Sequence, residues 1–218
     1  MSTATLIIGE SGSGKSTSMR NLDASQALVL QSIRKPMPFK GTFKHFDKET
    51  CPNGNVFVVD DPTKIIAAMQ KTQRPIIVID DFQYILANEF MRRSHEKGYE
   101  KFTDIGRNAW DIINATAALE HHKRVYVLAH SETTDAGRIK CKTIGKMIDE
   151  KITLEGMFSI VLRSLIRDGE HYFATKNNGA DTVKTPIGLF ETDPIPNDLA
   201  AVDAAIVSYY ELTPAQAA

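Results

Sequence analysis

The fold of this chain is decided by the stretch GESGSGKST, which runs from Gly9 to Thr17. Gly9, Gly14, Lys15 and Ser16 match the pattern G-x-x-x-x-G-K-[ST] without a mismatch. Glycines let the backbone curl so that its N–H groups point at phosphate oxygens, and a helix that starts beyond the loop adds its positive end. The stretch therefore predicts a phosphate-binding loop.

The sequence on either side of this loop has the order expected for a nucleotide site. The apolar strand TLII (5–8) runs straight into the loop, and KSTSMRNL (15–22) reads as a helix. Lys15 is then expected to reach the β- and γ-phosphates of ATP, and the Ser16 hydroxyl to bind Mg²⁺. The sequence assigns no other cation to the terminal phosphates. The predicted nucleotide-binding residues are Gly9, Glu10, Ser11, Gly12, Ser13, Gly14, Lys15, Ser16 and Thr17.

A second apolar strand, PIIVIDD (75–81), ends in two acids. Asp80 at the strand end is expected to hold Mg²⁺, usually through water. Two roles are open for Asp81: it polarises the attacking water as the catalytic base, or it caps the following turn. Asp60 and Asp61 form a similar pair, but they precede a helix start, so capping is expected of them.

A third strand, VYVLAH (125–130), is expected to lie beside the phosphate loop. His130 at its end is predicted to contact the γ-phosphate or the attacking water, and to pass the nucleotide state into the loop that follows. The alternative is a hydrogen-bonded histidine at a strand end with no part in the chemistry.

Composition limits the class of protein. Hydrophobic residues make up 42% of the chain and charged residues 24%, as in ordinary globular proteins. The net charge of −1 argues against a globally basic nucleic-acid coat, but it allows a local basic loop. Cys51 and Cys141 lack the spacing of a zinc site, and no apolar run is long enough to span a membrane. A cytoplasmic protein with no membrane partner is expected.

Strands alternate with helices up to residue 130, which predicts an α/β fold with a mostly parallel sheet. The other elements expected in this part are the strands 27–31 and 55–61 and the helices 62–71 and 103–122. An irregular charged stretch, 89–102, precedes the longer helix. After residue 130 the pattern changes to a polar, basic stretch without a clear period (131–147), an antiparallel hairpin around RDGE (157–178) and a last helix (199–212).

Among phosphate-loop proteins, the sequence favours a RecA-like core. No NKxD motif of the GTPase kind follows a strand, and no arginine-rich lid of the small-molecule kinase kind is present. The small helical domain of AAA+ proteins would follow the strand that ends at residue 130, where the sequence instead predicts loop, hairpin and turn. One RecA-like domain over 1–218 is predicted, with its core in 1–130.

The chain resembles the phage-encoded, core-only RecA-like ATPases of single-strand annealing and recombination, the Sak-four group. The resemblance runs over most of the chain. Besides the two nucleotide motifs it rests on RKPMPFKG (34–41), EKFTDIGRNAWDII (100–113), VLAHSE (127–132), RDGEHYF (167–173) and TPIGLFETDPIPNDL (185–199).

This resemblance implies ATP hydrolysis coupled to single-stranded DNA, in a homo-oligomer with ATP between adjacent subunits. It also implies host-cell cytoplasm as the location and a phage single-strand-binding protein as a further partner. In RecA-like proteins the loop after the sensor strand contacts DNA, which corresponds here to 131–147; the charged stretch 89–102 is a second candidate. The alternative for both is an ordinary solvated loop. The DNA-binding candidates are Arg138, Lys140, Lys142, Lys146, Arg92 and Arg93.

The chain departs from RecA in one catalytic feature. RecA carries its catalytic glutamate near the end of the strand after the phosphate-loop helix, and the corresponding LVLQSIR (28–34) has no acid. Either Asp81 takes the role, or hydrolysis is slow. The second hypothesis for the whole chain is a nucleotide-dependent assembly or regulatory ATPase that acts on a protein partner. If subunits stack, the cations that could reach a neighbour's γ-phosphate are Arg163, Arg167, Lys176 and Lys184.

Overall fold

A mostly parallel sheet forms the centre of the protein in a computed structural model that describes residues 1–145 and 151–212. The strands are β1 (Thr3–Gly9), β2 (Ala27–Gln31), β3 (Val56–Val58), β4 (Ile76–Asp80), β5 (Arg124–Thr133), β6 (Ile139–Cys141), β7 (Ile160–Arg167), β8 (Glu170–Ala174) and β9 (Ile195–Pro196). The α-helices are α1 (Pro62–Lys71), α2 (Gln83–Arg92), α3 (Glu100–Ala117) and α4 (Leu199–Tyr209), and two short 3₁₀ helices span Ser16–Asn21 and Leu154–Met157.

The order across the sheet is β3-β2-β4-β5-β1-β7-β8-β9, with β6 paired to β5 off this path. The pairs from β3 to β7 are parallel, and β8 and β9 are antiparallel additions. Because β5 lies between β1 and β4, the carboxyl ends of these three strands meet at one edge, where ligands bind in open α/β sheets. The predicted α/β fold is confirmed, and so is the position of VYVLAH beside the phosphate loop: Gly9 pairs with His130.

Two layers cover the sheet, which explains why its strands read as continuous apolar runs. Leu6 and Ile8 belong to the buried cluster under α1, α2 and α3. Ile7 points to the other face, where Met19 of the first 3₁₀ helix and Ile206 of α4 lie. Alternate residues of one strand thus serve two cores.

Helix α1 begins as predicted, because the Asp61 carboxylate accepts a hydrogen bond from the Lys64 N–H at 3.0 Å and Pro62 occupies the first turn. Asp60 does not cap this helix. Its carboxylate instead accepts hydrogen bonds from Asn88 at 2.8 Å and from Arg92 at 2.7 Å. The capping prediction is therefore correct for one acid of the pair and wrong for the other.

The charged stretch after β4 is more regular than predicted. Helix α2 occupies its first part, and α3 begins at Glu100 and ends at Ala117. Ile85 and Leu86 bury one side of α2 in the core, whereas the charged residues that suggested a loop lie on its other side or beyond its end. The helix predicted over 103–122 is confirmed as α3, and Ile105, Ala109 and Ile112 along it are buried.

The helix predicted over 15–22 is only the 3₁₀ helix Ser16–Asn21, and Leu22 is already extended. The chain must pass two strands to reach β2 from β1, a distance of roughly 14 Å at the usual strand spacing. After Leu22 the chain forms a turn, in which the Gln26 N–H donates to the Asp23 carbonyl oxygen at 3.0 Å, and β2 follows directly.

The polar stretch after residue 130 also has regular structure. Strand β5 continues to Thr133, and β6 returns antiparallel to it, with Ser131 opposite Cys141. The predicted hairpin of β7 and β8 is confirmed, and its turn residues Asp168 and Gly169 have φ angles of 53° and 82°. Within residues 1–145 and 151–212, no helix has the length and apolar character that crossing a bilayer requires.

Candidate nucleotide-binding site

The phosphate loop depends on its glycines for conformation and for space. Gly12 and Gly14 have φ angles of +80° and +98°, which side-chain-bearing residues rarely adopt. A Cβ atom at Gly14 would also lie 2.8 Å from His171 Nδ1, and one at Gly9 would lie 2.5 Å from Ser13 Oγ. The glycines of the motif are thus required by this fold before any ligand is considered.

Side chains of the hairpin β7–β8 and of the segment that follows it hold the phosphate loop in place by hydrogen bonds. Ser164 Oγ donates to the Ser13 carbonyl oxygen at 2.6 Å, and His171 Nδ1 lies 2.9 Å from the same oxygen. Since a carbonyl only accepts, Nδ1 carries the proton. Asn197 in turn donates to Ser164 Oγ at 3.2 Å. Sequence reasoning missed these three residues, because their partners lie more than a hundred positions away or in turns without periodicity.

Lys15 lies folded onto the loop that precedes it. Its ammonium donates to the carbonyl oxygens of Gly9 and Glu10, both at 2.8 Å. Burial lowers the pKa of Lys15 to about 8, although the carboxylates of Asp81 and Asp80 oppose that shift. The lysine is therefore held at the mouth of the loop, where phosphate oxygens can replace the two carbonyls as acceptors.

Ser16 and Asp80 meet directly, as the metal prediction requires. Ser16 Oγ donates to Asp80 Oδ1 at 2.8 Å, and Asp80 is fully buried at the end of β4. Its second oxygen, Oδ2, has no hydrogen-bond partner within the described part of the chain. Burial and the neighbouring Asp81 raise the pKa of Asp80. A hydroxyl beside an unsatisfied carboxylate oxygen fits Mg²⁺, which typically takes one or two carboxylates and completes its shell with water and phosphate oxygens.

Asp81 has an unusual backbone and a side chain in the cleft. Its φ angle is +62°, uncommon outside glycine. Helix α2 begins after it without any side-chain cap, so the Asp81 carboxylate does not perform the capping role that the sequence left open. Instead it forms an ion pair with Lys35, and His130 Nε2 lies 3.7 Å from its Oδ1.

Lys35 is the cleft residue that sequence reasoning missed. It lines the same cleft as Lys15 and Ser16, so the cleft contains a second cation that the sequence did not assign to it. Burial opposes the charge of Lys35, but Asp80 and Asp81 outweigh it and raise the pKa of the lysine. The only signal was the position of Lys35 in RKPMPFKG, a proline-interrupted loop 46 positions before Asp81.

His130 lies where the sequence predicted it, at the last residue of β5 that pairs with β1. Its backbone N–H donates to Gln83 Oε1 at 3.0 Å, and the Tyr84 ring meets the imidazole edge to face at 6.1 Å between centroids. Burial, together with the nearby ammonium of Lys15, lowers the pKa of His130. A neutral imidazole therefore faces Asp81.

The hairpin β5–β6 has one face rich in cations. Side chains alternate along a strand, so Lys140 lies on the side opposite the buried Cys141, and the exposed Arg138 and Lys142 flank β6 at its two ends. Lys140 Nζ lies 3.4 Å from Glu132 Oε1 on the opposing strand, and the Lys142 N–H donates to the His130 carbonyl at 2.8 Å. Lys146 lies outside the described residues. The cationic face thus begins beside His130.

Three of the other predicted cations, Arg92, Arg93 and Arg163, form ion pairs within the fold. Arg92 pairs with Asp60 at 2.7 Å. Arg163 pairs with the buried Asp181 at 2.9 Å. The acidic partners of Arg93 are Glu89, Glu96 and Asp104. The pairs of Arg92 and Arg93 compensate two of the charges that 89–102 would present to DNA.

No protein-family model and no curated protein matches the chain. Among solved structures, it is similar to the N-terminal domain of zonular occludens toxin from Neisseria meningitidis, with 16% identity, 79% of this chain and 82% of that chain covered, and a TM-score of 0.33. It is also similar to the ATPase DotB of Legionella pneumophila, with 12% identity, 99% of this chain covered and a TM-score of 0.37. The chain spans about half of DotB, 54% of its length.

Similarity at this level says nothing about substrate or partner, and the resemblance to the Sak-four group stays a prediction. The chain's own geometry is more specific. The phosphate loop follows β1, the acid of β4 meets Ser16, and β5 lies between the two strands. This arrangement is a P-loop NTPase fold with a mostly parallel sheet.

Proposed function

We propose that this protein is a Mg²⁺-dependent ATPase whose turnover is coupled to single-stranded DNA. The observation that carries the ATPase part is the 2.8 Å hydrogen bond from Ser16 to Asp80, under the ammonium of Lys15. It joins the loop that cradles phosphates to the acid that places the metal, which are the two halves of a phosphoryl-transfer site.

Each residue of the site has one role in binding. The loop N–H groups and Lys15 bind the phosphates, with Lys15 exchanging the Gly9 and Glu10 carbonyls for phosphate oxygens. Ser16 and Asp80 would hold Mg²⁺, which when bound neutralises phosphate charge and orients the terminal phosphate. His171 and Ser164 keep the loop in shape through the Ser13 carbonyl.

Asp81 is the group that accepts the proton of the attacking water. The water oxygen bonds to the γ-phosphorus, the bond from phosphorus to the bridging oxygen breaks with its electrons going to ADP, and the water proton goes to the carboxylate. Neutral His130, 3.7 Å from Asp81, can accept a hydrogen bond from the same water and orient it.

The DNA part of the proposal is supported by the hairpin β5–β6. Its cationic face starts at the His130 carbonyl, so a shift of His130 with the nucleotide would move Lys142 directly. Phosphates of a single strand are the partner that such a face fits. A homo-oligomer with ATP at subunit interfaces, a phage single-strand-binding protein and the host cytoplasm belong to the same proposal; they rest on the sequence resemblance.

The test is ATP turnover and DNA retention by matched variants. Arg138→Gln/Lys142→Gln removes two exposed charges from the hairpin, whereas Lys48→Gln/Lys64→Gln removes two exposed charges elsewhere. The first pair should lose DNA binding and DNA stimulation while keeping basal turnover, and the second pair should behave as wild type. If both pairs behave as wild type, the DNA assignment fails, and the alternative of an ATPase that acts on a protein partner gains support.

A further inference from the structure

Lys35 neutralises the very carboxylate that the proposed chemistry needs as a base. Its ammonium forms an ion pair with Asp81 Oδ2, and it lies 3.7 Å from the unsatisfied Oδ2 of Asp80. In this arrangement the Lys35 ammonium, and not a water molecule, occupies Asp81 Oδ2.

The two partners of this ion pair differ in freedom. The side chain of Asp81 is 5% exposed, whereas that of Lys35 is 37% exposed and lines the open cleft. Pro36 and Pro38 also line the cleft and restrict the backbone of the segment. A lysine ammonium on a flexible four-carbon stem can change partners without any movement of that backbone.

The cleft that Lys35 enters is the phosphate cleft. Lys15, Ser16, Thr17, Asp81 and His130 line the same cleft. A terminal phosphate bound over Lys15 would bring concentrated negative charge into reach of the Lys35 ammonium. Phosphate oxygens accept charge-assisted hydrogen bonds as strong as those of a carboxylate.

We infer that Lys35 is a nucleotide-sensing residue that exchanges Asp81 for the terminal phosphate of ATP. The exchange releases Asp81 as the base only when a third phosphate is present. It also gives the site a preference for ATP over ADP, because ADP carries no phosphate at that position. This inference rests on the proposed ATPase function and names a residue that selects the substrate of the same site.

The test compares the dissociation constants of ATP and ADP, each with Mg²⁺, by titration calorimetry. Lys35→Met should weaken ATP by roughly ten- to a hundredfold, the value of one charge-assisted contact, and ADP by less than about threefold. Lys40→Met, an exposed lysine in the same segment, is the matched control and should change neither. Equal losses for ATP and ADP, or no loss for either, would overturn the inference.

Two further variants separate contact with phosphate from a structural role. Lys35→Arg keeps the charge and should retain most of the ATP preference. Lys35→Met/Asp81→Asn also removes the Asp81 carboxylate that Lys35→Met leaves without its lysine partner, and it should still lack the preference for ATP. If the preference for ATP returned in this double variant, Lys35 would serve only to neutralise Asp81. If the wild-type protein binds no ATP, or Lys15→Ala binds it unchanged, the ATPase proposal itself fails, and the two failures are thereby distinguished.

Discussion

Ser16 donates a 2.8 Å hydrogen bond to Asp80, a residue 64 positions further along the chain. The contact exists because β5 separates β1 from β4 by one strand, so the loop after β1 bends across to the end of β4. It also leaves Asp80 Oδ2 without a hydrogen-bond partner among the described residues. The loop and the acid are therefore joined in one site. Variants of the loop should weaken nucleotide binding, whereas variants of the acid should mainly slow turnover.

Lys15→Ala tests the loop. Phosphates lose the cation that lies closest to the loop, and Lys35 reaches only the terminal one, so both ATP and ADP should bind at least about tenfold more weakly. Equilibrium titration with each nucleotide measures this. Wild-type affinity for ADP in this variant would show that the loop does not hold the inner phosphates as described.

Asp80→Asn tests the metal position. The amide keeps the size and can still accept from Ser16, but it loses the charge that places Mg²⁺. Nucleotide affinity should fall by less than about tenfold, while turnover at saturating ATP should fall by roughly a hundredfold or more. Steady-state kinetics over a range of Mg²⁺ concentrations separates the two. A variant with normal turnover at low Mg²⁺ would remove Asp80 from the site.

Asp81→Asn tests the base. An amide cannot take the proton of the attacking water, so turnover should fall by about a hundredfold, the typical value of a general base, with ATP affinity retained. Single-turnover measurements report the chemical step. An unchanged rate would transfer the role to another acid or to a partner residue.

The pKa of Lys15 predicts how nucleotide binding depends on pH. Burial lowers this pKa to about 8, so above that pH the free protein carries a neutral amine at the phosphate position. Binding then has to take up a proton, and ATP affinity should decrease as the pH rises through 8, by up to about tenfold per pH unit. Titrations in two buffers of different ionisation enthalpy would detect the proton uptake. An affinity independent of pH over this range would contradict the described position of Lys15.

The parts of the site that the sequence predicts are local or lie at strand ends. The loop glycines, Lys15 and Ser16 form one contiguous motif. Asp80 ends a strand that is recognisable because it is a continuous apolar run. His130 follows from the same reasoning, since a buried strand with a polar last residue places that residue at the edge of the sheet.

The parts that the sequence does not predict depend on long-range packing. Lys35 lies in a proline-interrupted loop, which has no periodicity to indicate where its side chain points. His171 of β8 reaches Ser13 across 158 positions, because β8 pairs with β7 and β7 pairs with β1.

The most direct test of the whole account is the ATPase rate measured against single-stranded DNA concentration, with oligomer size followed in the same samples and Lys15→Ala as the blank. We expect Mg²⁺-dependent turnover that rises with DNA and loses this stimulation as salt is added, since binding to phosphates releases counterions. Equal turnover with and without DNA, together with no DNA retention at low salt, would contradict it.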